Sequence, residues 1–245
     1  MPSPCSAKHY KLKKVTENKQ KTYFNWSSGK DSALALHYLL QDKNYSVDCL
    51  LTSVNSHYDR VSMHGLRKEL LLKQVEAIGI PITTIELPLQ PSNEDYEAIM
   101  RAKVDELLEQ NYTTAAFGDI FLEDLKVYRE KQLEPFGLKA VFPLWKKDTK
   151  QLLTEFIDSG FKTITVCVNG TKLDKSFVGR VIDHDFIKEL PDDVDPCGEN
   201  GEFHTFCFDA SYFKKPVDFT IGETIYREYD NHGTKTGYWF CDLLP

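Results

Sequence analysis

The sequence has 245 residues, enough for one or two domains that bury a core without disulfide bonds. Hydrophobic residues make up 41% and charged residues 27%, which excludes a disordered or fibrous chain. The net charge of −7 argues against broad electrostatic binding to nucleic acid, because an acidic surface repels phosphate backbones. No apolar run approaches the roughly 20 residues of a membrane helix, so no membrane partner is expected.

The N-terminal segment 1–21 carries six lysines and no apolar stretch, which is typical of neither a secretory signal nor a transit peptide. We predict a mobile tail there. The six cysteines are scattered and form no C-x-x-C pair. Together these features predict reduced thiols and a cytoplasmic location.

Strand and helix signals alternate through the next part of the chain. Strands are predicted at 22–26, 47–54, 82–87, 113–117 and 140–142. Helices are predicted at 33–41, 65–78, 92–110 and 123–134, with Ser92 or Asn93 as a cap and Gly79 as a stop. This alternation is typical of βαβ crossovers, so we predict a doubly wound, five-stranded parallel sheet. Ligands bind beyond the carboxyl ends of such strands, here at loops 27–32, 53–64, 88–92 and 118–122.

The rhythm changes after Trp145. A helix is predicted at 149–159, a strand at 162–168, a short helix at 183–190, and short strands at 203–208, 217–221, 224–229 and 238–240. The predicted fold class is therefore α/β, with a smaller α+β domain after the sheet. The predicted domains are a tail at 1–21, a first domain at 22–147 and a second domain at 148–245.

The hexapeptide S-S-G-K-D-S at 27–32 leaves the first strand and enters the first helix. Backbone N–H groups and the helix dipole favour an anion there. Ser27 and Ser32 add hydroxyl groups, Gly29 permits close approach, and Lys30 supplies a flexible positive charge. The spacing fits neither a Walker A loop nor a dinucleotide fingerprint. It resembles instead the PP-loop, S-G-G-x-D-S, of ATP pyrophosphatases, which cleave ATP between its α and β phosphates.

Ser28 stands where the PP-loop pattern has glycine. A positive φ at this position would cost a serine roughly 1–2 kcal/mol. Either φ is negative here or the loop differs slightly from the pattern. Asp31 is a candidate for Mg²⁺ or for bracing the loop, and the alternative is a first-turn carboxylate that serves the helix dipole.

A second motif, G-E-N-G-E-F-H-T at 198–205, places two carboxylates between glycines. Such a loop could hold Mg²⁺ with phosphate oxygens or position an amine. Zinc is another interpretation through Cys197, His204 and Cys207, although their spacing matches no common zinc pattern. The simplest alternative is a solvated acidic turn.

The two motifs together resemble the diphthine–ammonia ligase family. Further stretches that resemble it lie at 64–66, 79–81, 118–120, 142–145 and 173–183, with Gln74 beside them. The resemblance implies a HUP-type PP-loop domain that binds ATP and a C-terminal domain that completes the cleft. It also implies an AMP-forming carbon–nitrogen ligase. ATP would adenylate the carboxylate of a diphthine-like acceptor, a modified histidine on a translation elongation factor, and ammonia would then form the amide with release of AMP and pyrophosphate.

The candidate catalytic residues follow from that chemistry. Lys30 and Mg²⁺ would neutralise the leaving pyrophosphate. Glu199 or Glu202 could bind ammonium and accept its proton, and His204 could do the same or serve as a structural hydrogen-bonding residue. The remaining candidates are Ser27, Ser28, Gly29, Lys30, Asp31, Ser32, Gly118 and Asp119 for nucleotide, Asp31 and Asp119 for metal, and Arg180, Gly198, Gly201 and Thr205 for the acceptor.

Several alternatives stay open at this point. Arg180 could bind the acceptor carboxylate bidentately or form a surface ion pair. A nucleic-acid-modifying ATP pyrophosphatase, such as a tRNA thiolase, is disfavoured by the acidic charge and the absence of C-x-x-C. A nucleotide-binding sensor is disfavoured by the acidic loop, which a sensor does not need. A homodimer is an open alternative to a monomer.

Overall fold

The computed structural model of the protein describes residues 19–62, 65–89, 92–231 and 234–245. Its first sheet has five parallel strands in the order β4-β2-β1-β5-β6 and a short β3 that pairs antiparallel with the end of β2. The strands are β1 (Gln20–Asn25), β2 (Tyr45–Asn55), β3 (Arg60–Val61), β4 (Ile82–Leu87), β5 (Thr114–Ala116) and β6 (Lys139–Val141). The predicted five-stranded parallel sheet is confirmed.

Four helices accompany this sheet: α1 (Lys30–Gln41), α2 (Lys68–Ile78), α3 (Asn93–Glu109) and α4 (Glu123–Leu133). Their ends follow local chemistry. Ser92 caps α3 in a reciprocal capping box with Asp95. Gly79 ends α2 in the left-handed conformation with φ 79°. Both ends were predicted from the sequence and are confirmed.

The sheet buries both of its faces, as β1 demonstrates. Tyr23 points into the cluster that contains Val104 of α3 and Leu133 of α4. Its neighbour Phe24 points into the opposite cluster, beside Leu34 of α1. Successive side chains of a strand face opposite sides, so an aromatic pair here fits a doubly wound sheet.

The second sheet is antiparallel, in the order β8-β7-β10-β9. Its strands are β7 (Lys162–Asn169), β8 (Phe203–Asp209), β9 (Thr220–Asn231) and β10 (Thr234–Leu244), and two helices, α5 (Thr149–Asp158) and α6 (His184–Glu189), belong to the same part of the chain. The prediction of separate strands at 217–221 and 224–229 was wrong. Gly222 continues β9, because the pairing of β9 with the long β10 runs past it.

One continuous apolar core joins the two sheets. This core contains Phe24 of β1 and Trp26, which follows β1, together with Phe156 of α5 and Phe206 of β8.

The predicted boundary of the N-terminal tail at residue 21 was also wrong, since Gln20 and Lys21 already belong to β1. The tail up to residue 18, and residues 63–64 and 90–91 in two of the predicted ligand loops, lie outside the described residues. Among the helices that are described, none is long and apolar enough to span a bilayer.

Candidate functional site

The loop between β1 and α1 leads directly into the start of a helix, where an anion site is predicted. Helix α1 begins at Lys30, after Gly29, which has no side chain to cap the first turn. The Ser27 and Ser32 hydroxyl groups are 3.0 Å apart, and Ser32 Oγ also donates to the Gly29 carbonyl at 3.0 Å. The hydroxyl groups therefore brace the loop from within at the positive end of the helix dipole.

Ser28 adopts the conformation that a glycine would take without strain. Its φ is 71°, in the left-handed region, and its side chain is fully buried. Its Oγ has no hydrogen-bond partner within the described part of the chain. The question left by the sequence is answered, because φ is positive and the backbone matches what the glycine of the PP-loop pattern would allow.

The acidic segment folds back onto this loop. The backbone N–H of Lys30 donates to Thr205 Oγ1 at 3.0 Å, and the N–H of Cys207 donates to the Ser28 carbonyl at 2.9 Å. The Lys30 ammonium group donates to the Cys197 carbonyl. The two motifs that the sequence separates by most of the chain are thus in direct contact.

Lys30 is held rather than free to move. Its side chain is 3% exposed, and its Nζ lies 2.8 and 2.9 Å from the two carboxylate oxygens of Asp31. Burial by itself lowers the pKa of Lys30, but attraction to Asp31 outweighs it and leaves that pKa above its ordinary value. The ammonium group beneath the loop is therefore buried and charged, and it is paired with the Asp31 carboxylate.

The two carboxylates of the acidic loop have different surroundings. Glu199 Oε1 accepts the Ile120 N–H at 2.7 Å, and burial raises the pKa of Glu199 to about 7. Glu202 is 3% exposed, and its Oε1 accepts from the Asp195 N–H and from Asn200 Nδ2, each at 3.1 Å. Glu202 Oε2 is buried and has no hydrogen-bond partner in the described ranges. The alternative of a solvated turn is wrong for Glu202.

The neighbouring His204 is also set by burial. Burial, reinforced by the positive charge of Lys30, lowers the pKa of His204 to about 4. The imidazole is therefore neutral at pH 7. The two glycines of the loop, Gly198 and Gly201, have φ of 68° and 85°, a left-handed conformation that glycine adopts without strain.

Asp119 and Gly118 lie beyond β5, at the same edge of the sheet. Asp119 is buried and forms an ion pair with Arg129 of α4, with Nε and Oδ2 2.8 Å apart. A Cβ at Gly118 would come within 3.0 Å of the Ser32 backbone nitrogen, so glycine is required for the close approach of this loop to α1. Arg129 was missed by the sequence reasoning, because nothing in the spacing of Asp119 and Arg129 marks them as partners.

The described residues contain no cluster of three or more His, Cys, Asp or Glu side chains that could hold a metal ion by themselves. Cys197, His204 and Cys207 therefore do not form the zinc site considered from the sequence. Asp31 and Asp119 are each paired with a basic side chain. A role of these two carboxylates in holding Mg²⁺, with phosphate oxygens as the further ligands, stays a prediction.

Arg180 is not joined to this cleft by any described contact. Its guanidinium forms an ion pair with Glu189 of α6 at 2.5 Å, in agreement with the surface ion pair considered from the sequence. A role in binding the acceptor stays a prediction.

Two family models match most of this chain. The family model described as the diphthamide synthase N-terminal domain matches residues 20–140, and that of the C-terminal domain matches residues 148–237. The chain is similar to the diphthine–ammonia ligase of Danio rerio, with 28% identity over 170 residues, which cover 63% of this chain and 67% of the relative. It is 26% identical to that of Homo sapiens over 140 residues, 55% of this chain and 51% of the relative. With the ligase of Schizosaccharomyces pombe it shares 29% identity over 114 residues, 41% of this chain and 18% of that much longer relative.

Proposed function

Since the chain belongs to the diphthamide synthase family, we propose that it is an ATP-dependent carbon–nitrogen ligase. It would activate a carboxylate as an acyl-adenylate and convert it to an amide with ammonia, releasing AMP and pyrophosphate. The observation that carries the proposal is the direct contact between the β1–α1 loop and the acidic loop, made by the Lys30 N–H and Thr205 Oγ1. The contact brings the start of α1 against the loop that carries the buried Glu202 and the half-buried Glu199, and this supports one shared site.

The nucleotide half of the cleft is the start of α1. Phosphate oxygens would accept from the backbone N–H groups around Gly29, where the helix dipole favours negative charge. The buried Lys30 ammonium would stabilise the charge that develops on the departing pyrophosphate. Asp31 and Asp119 would be the residues that hold Mg²⁺, which would supply further positive charge to the phosphates.

The amine half of the cleft is the acidic loop. Glu202 offers a buried carboxylate oxygen without a partner among the described residues, which suits an ammonium ion as the source of ammonia. Glu199 has a pKa of about 7, so it exchanges protons readily near neutral pH. An ammonium ion would first pass one proton to Glu199 and become ammonia. The ammonia nitrogen would then bond to the acyl carbon while the bond from that carbon to the AMP oxygen breaks, and the second proton would leave to solvent as the amide forms. His204 is the weaker candidate for a proton acceptor, because its pKa of about 4 makes it a poor base near neutral pH.

The proposed acceptor is diphthine, the compound in the names of the relatives. On this proposal the protein that carries it is a translation elongation factor with the modified histidine. Gly198, Gly201, Thr205 and Arg180 are the proposed acceptor-side residues. The chain spans about half to two thirds of the length of the vertebrate relatives. We therefore propose diphthine as its acceptor.

Product analysis tests the proposal. The protein is incubated with ATP, Mg²⁺, ammonium and a diphthine-bearing acceptor, and phosphorus NMR follows the nucleotide. We expect AMP and pyrophosphate, with an amide on the acceptor by mass spectrometry. ADP and inorganic phosphate as the main products would contradict the proposed chemistry.

Two variants test the proposed nucleotide half separately. Gly29→Val adds bulk where phosphates would approach, and Ser32→Ala removes one hydroxyl group that braces the loop. Both should weaken ATP binding in calorimetric titration while the melting temperature stays close to that of the unmodified protein. Unchanged affinity in both variants would remove the loop from the site.

A further inference from the structure

A buried glutamine outside both motifs connects them. Gln74 of α2 is fully buried, and its Nε2 donates to the Ser28 carbonyl at 3.0 Å and to the Cys207 carbonyl at 2.6 Å. Its Oε1 accepts from Trp26 Nε1 at 2.8 Å. One side-chain amide therefore connects Trp26, just after β1, with the loop at 27–32 and with β8. We propose that Gln74 is a positioning residue that holds the Ser28 peptide in its left-handed conformation, and this inference rests on the proposed nucleotide role of the loop.

Ser28 needs such support because its backbone is strained. A serine at φ 71° lies in a region that residues with a Cβ disfavour, and the loop would relax if nothing opposed it. Two donors converge on the Ser28 carbonyl, Gln74 Nε2 and the Cys207 N–H. Relaxation of φ would turn this carbonyl away from both donors in a place that water does not reach.

The chemistry of the contact requires an amide. The site needs two N–H donors for two carbonyls and one acceptor for the Trp26 indole, and a glutamine side chain supplies all three. A glutamate would place a carboxylate oxygen against the Ser28 and Cys207 carbonyls. A methionine would fill the volume and satisfy none of the groups.

The support should control nucleotide affinity more than the chemical step. The N–H groups that would cradle phosphate follow Ser28 directly, so their directions depend on its φ. Gln74→Met should therefore raise the Kd for ATP by about tenfold, and its effect should be seen in KM more than in kcat. Ser28→Gly should rescue that loss, because glycine populates positive φ without strain. In the Ser28→Gly background we expect Gln74→Met to change the Kd by no more than about threefold.

The experiment is a double-mutant cycle on the full chain. Calorimetric titration gives the Kd for ATP in the presence of Mg²⁺ for the unmodified protein, the two single variants and the double variant. Leu71→Ala is the control, since Leu71 lies on the same helix, is fully buried and has no hydrogen bond to the loop. Should Gln74→Met fail to fold, Trp26→Phe removes the indole donor that orients the Gln74 amide, together with part of a buried ring, and should weaken ATP binding in the same direction. Leu71→Ala then shows what the loss of buried volume alone does.

A ligand-free measurement separates this inference from the proposed function. Amide hydrogen exchange at residues 28–31 should accelerate in Gln74→Met and return toward the original rate in the double variant. If the unmodified protein does not bind ATP, the proposed function fails, while the exchange rates still test the support of Ser28. Equal effects of Gln74→Met in both backgrounds, or an equal loss of affinity in Leu71→Ala, would overturn the inference.

Discussion

Replacement of Ser28 by glycine should make the protein more stable. The change relieves a left-handed conformation that costs a residue with a Cβ about 1–2 kcal/mol. It also removes a buried hydroxyl group without a partner in the described part of the chain, a group whose desolvation costs about 1–3 kcal/mol. Against this, glycine adds about 0.5–1 kcal/mol of unfolded-state entropy. The expected net gain is about 1 kcal/mol or more, which corresponds to a melting temperature higher by about 2–4 °C.

Urea denaturation of Ser28→Gly and Ser28→Ala separates the two contributions. Alanine keeps the strained φ and removes the hydroxyl group, so its gain should come from desolvation alone. Glycine removes both, and the difference between the variants reports the relief of strain after the entropy cost. Melting in the absence of nucleotide keeps binding out of the comparison. A Ser28→Gly protein that is less stable than the unmodified protein would show that Ser28 contributes contacts that outweigh the strain, and the reasoning would fail.

Three further changes test the site. Gly118→Ala puts a Cβ within 3.0 Å of the Ser32 backbone nitrogen, so the affinity for ATP, measured by calorimetry, should fall at least tenfold. Gly222→Ala is the control. It creates a similar clash in the second sheet and should lower stability while the affinity for ATP stays unchanged. Because burial raises the pKa of Glu199 from 4.5 to about 7, its contribution to stability is present below pH 4.5 and lost as pH rises through 7. Glu199→Gln should therefore match the unmodified protein in urea midpoint near pH 4 and exceed it at pH 8, and equal midpoints at both would contradict that pKa. Glu202→Gln should still bind ATP but raise the ammonium concentration for half-maximal amidation by roughly tenfold or more in a quenched-flow assay, because the neutral amide cannot hold ammonium by charge. Loss of ATP binding would instead assign the carboxylate to the nucleotide.

The parts of the fold that could be predicted are those decided by local sequence. The parallel sheet follows from apolar strands separated by helices, and the helix ends at Ser92 and Gly79 follow from capping chemistry. The hexapeptide at 27–32 indicated an anion site for the same reason, because a strand, a glycine and a helix start lie together in the sequence. The long β9 was missed because Gly222 usually weakens a strand, and only the pairing with β10 carries the strand through it.

The parts of the site that could not be predicted depend on contacts between distant residues. The sequence named Lys30 and Glu199, but it could not show that Asp31 and Cys197 hold the ammonium group or that Ile120 donates to the carboxylate. The positive φ of Ser28 likewise depends on donors from α2 and β8. The roles of these residues in catalysis stay predictions until the variants are measured.

The donors that hold the loop at 27–32 are synthesised well after the loop itself. One donor to the Ser28 carbonyl comes from Gln74 and the other from Cys207, in the second sheet. At about 5–20 residues per second, a ribosome adds Cys207 roughly 10–40 s after Ser28. A nascent chain with only the first sheet carries residues 27–32 without the β8 strand that donates to the Ser28 carbonyl. On the proposed function, competence to hold nucleotide should therefore appear only after Cys207 has been added and β8 has formed.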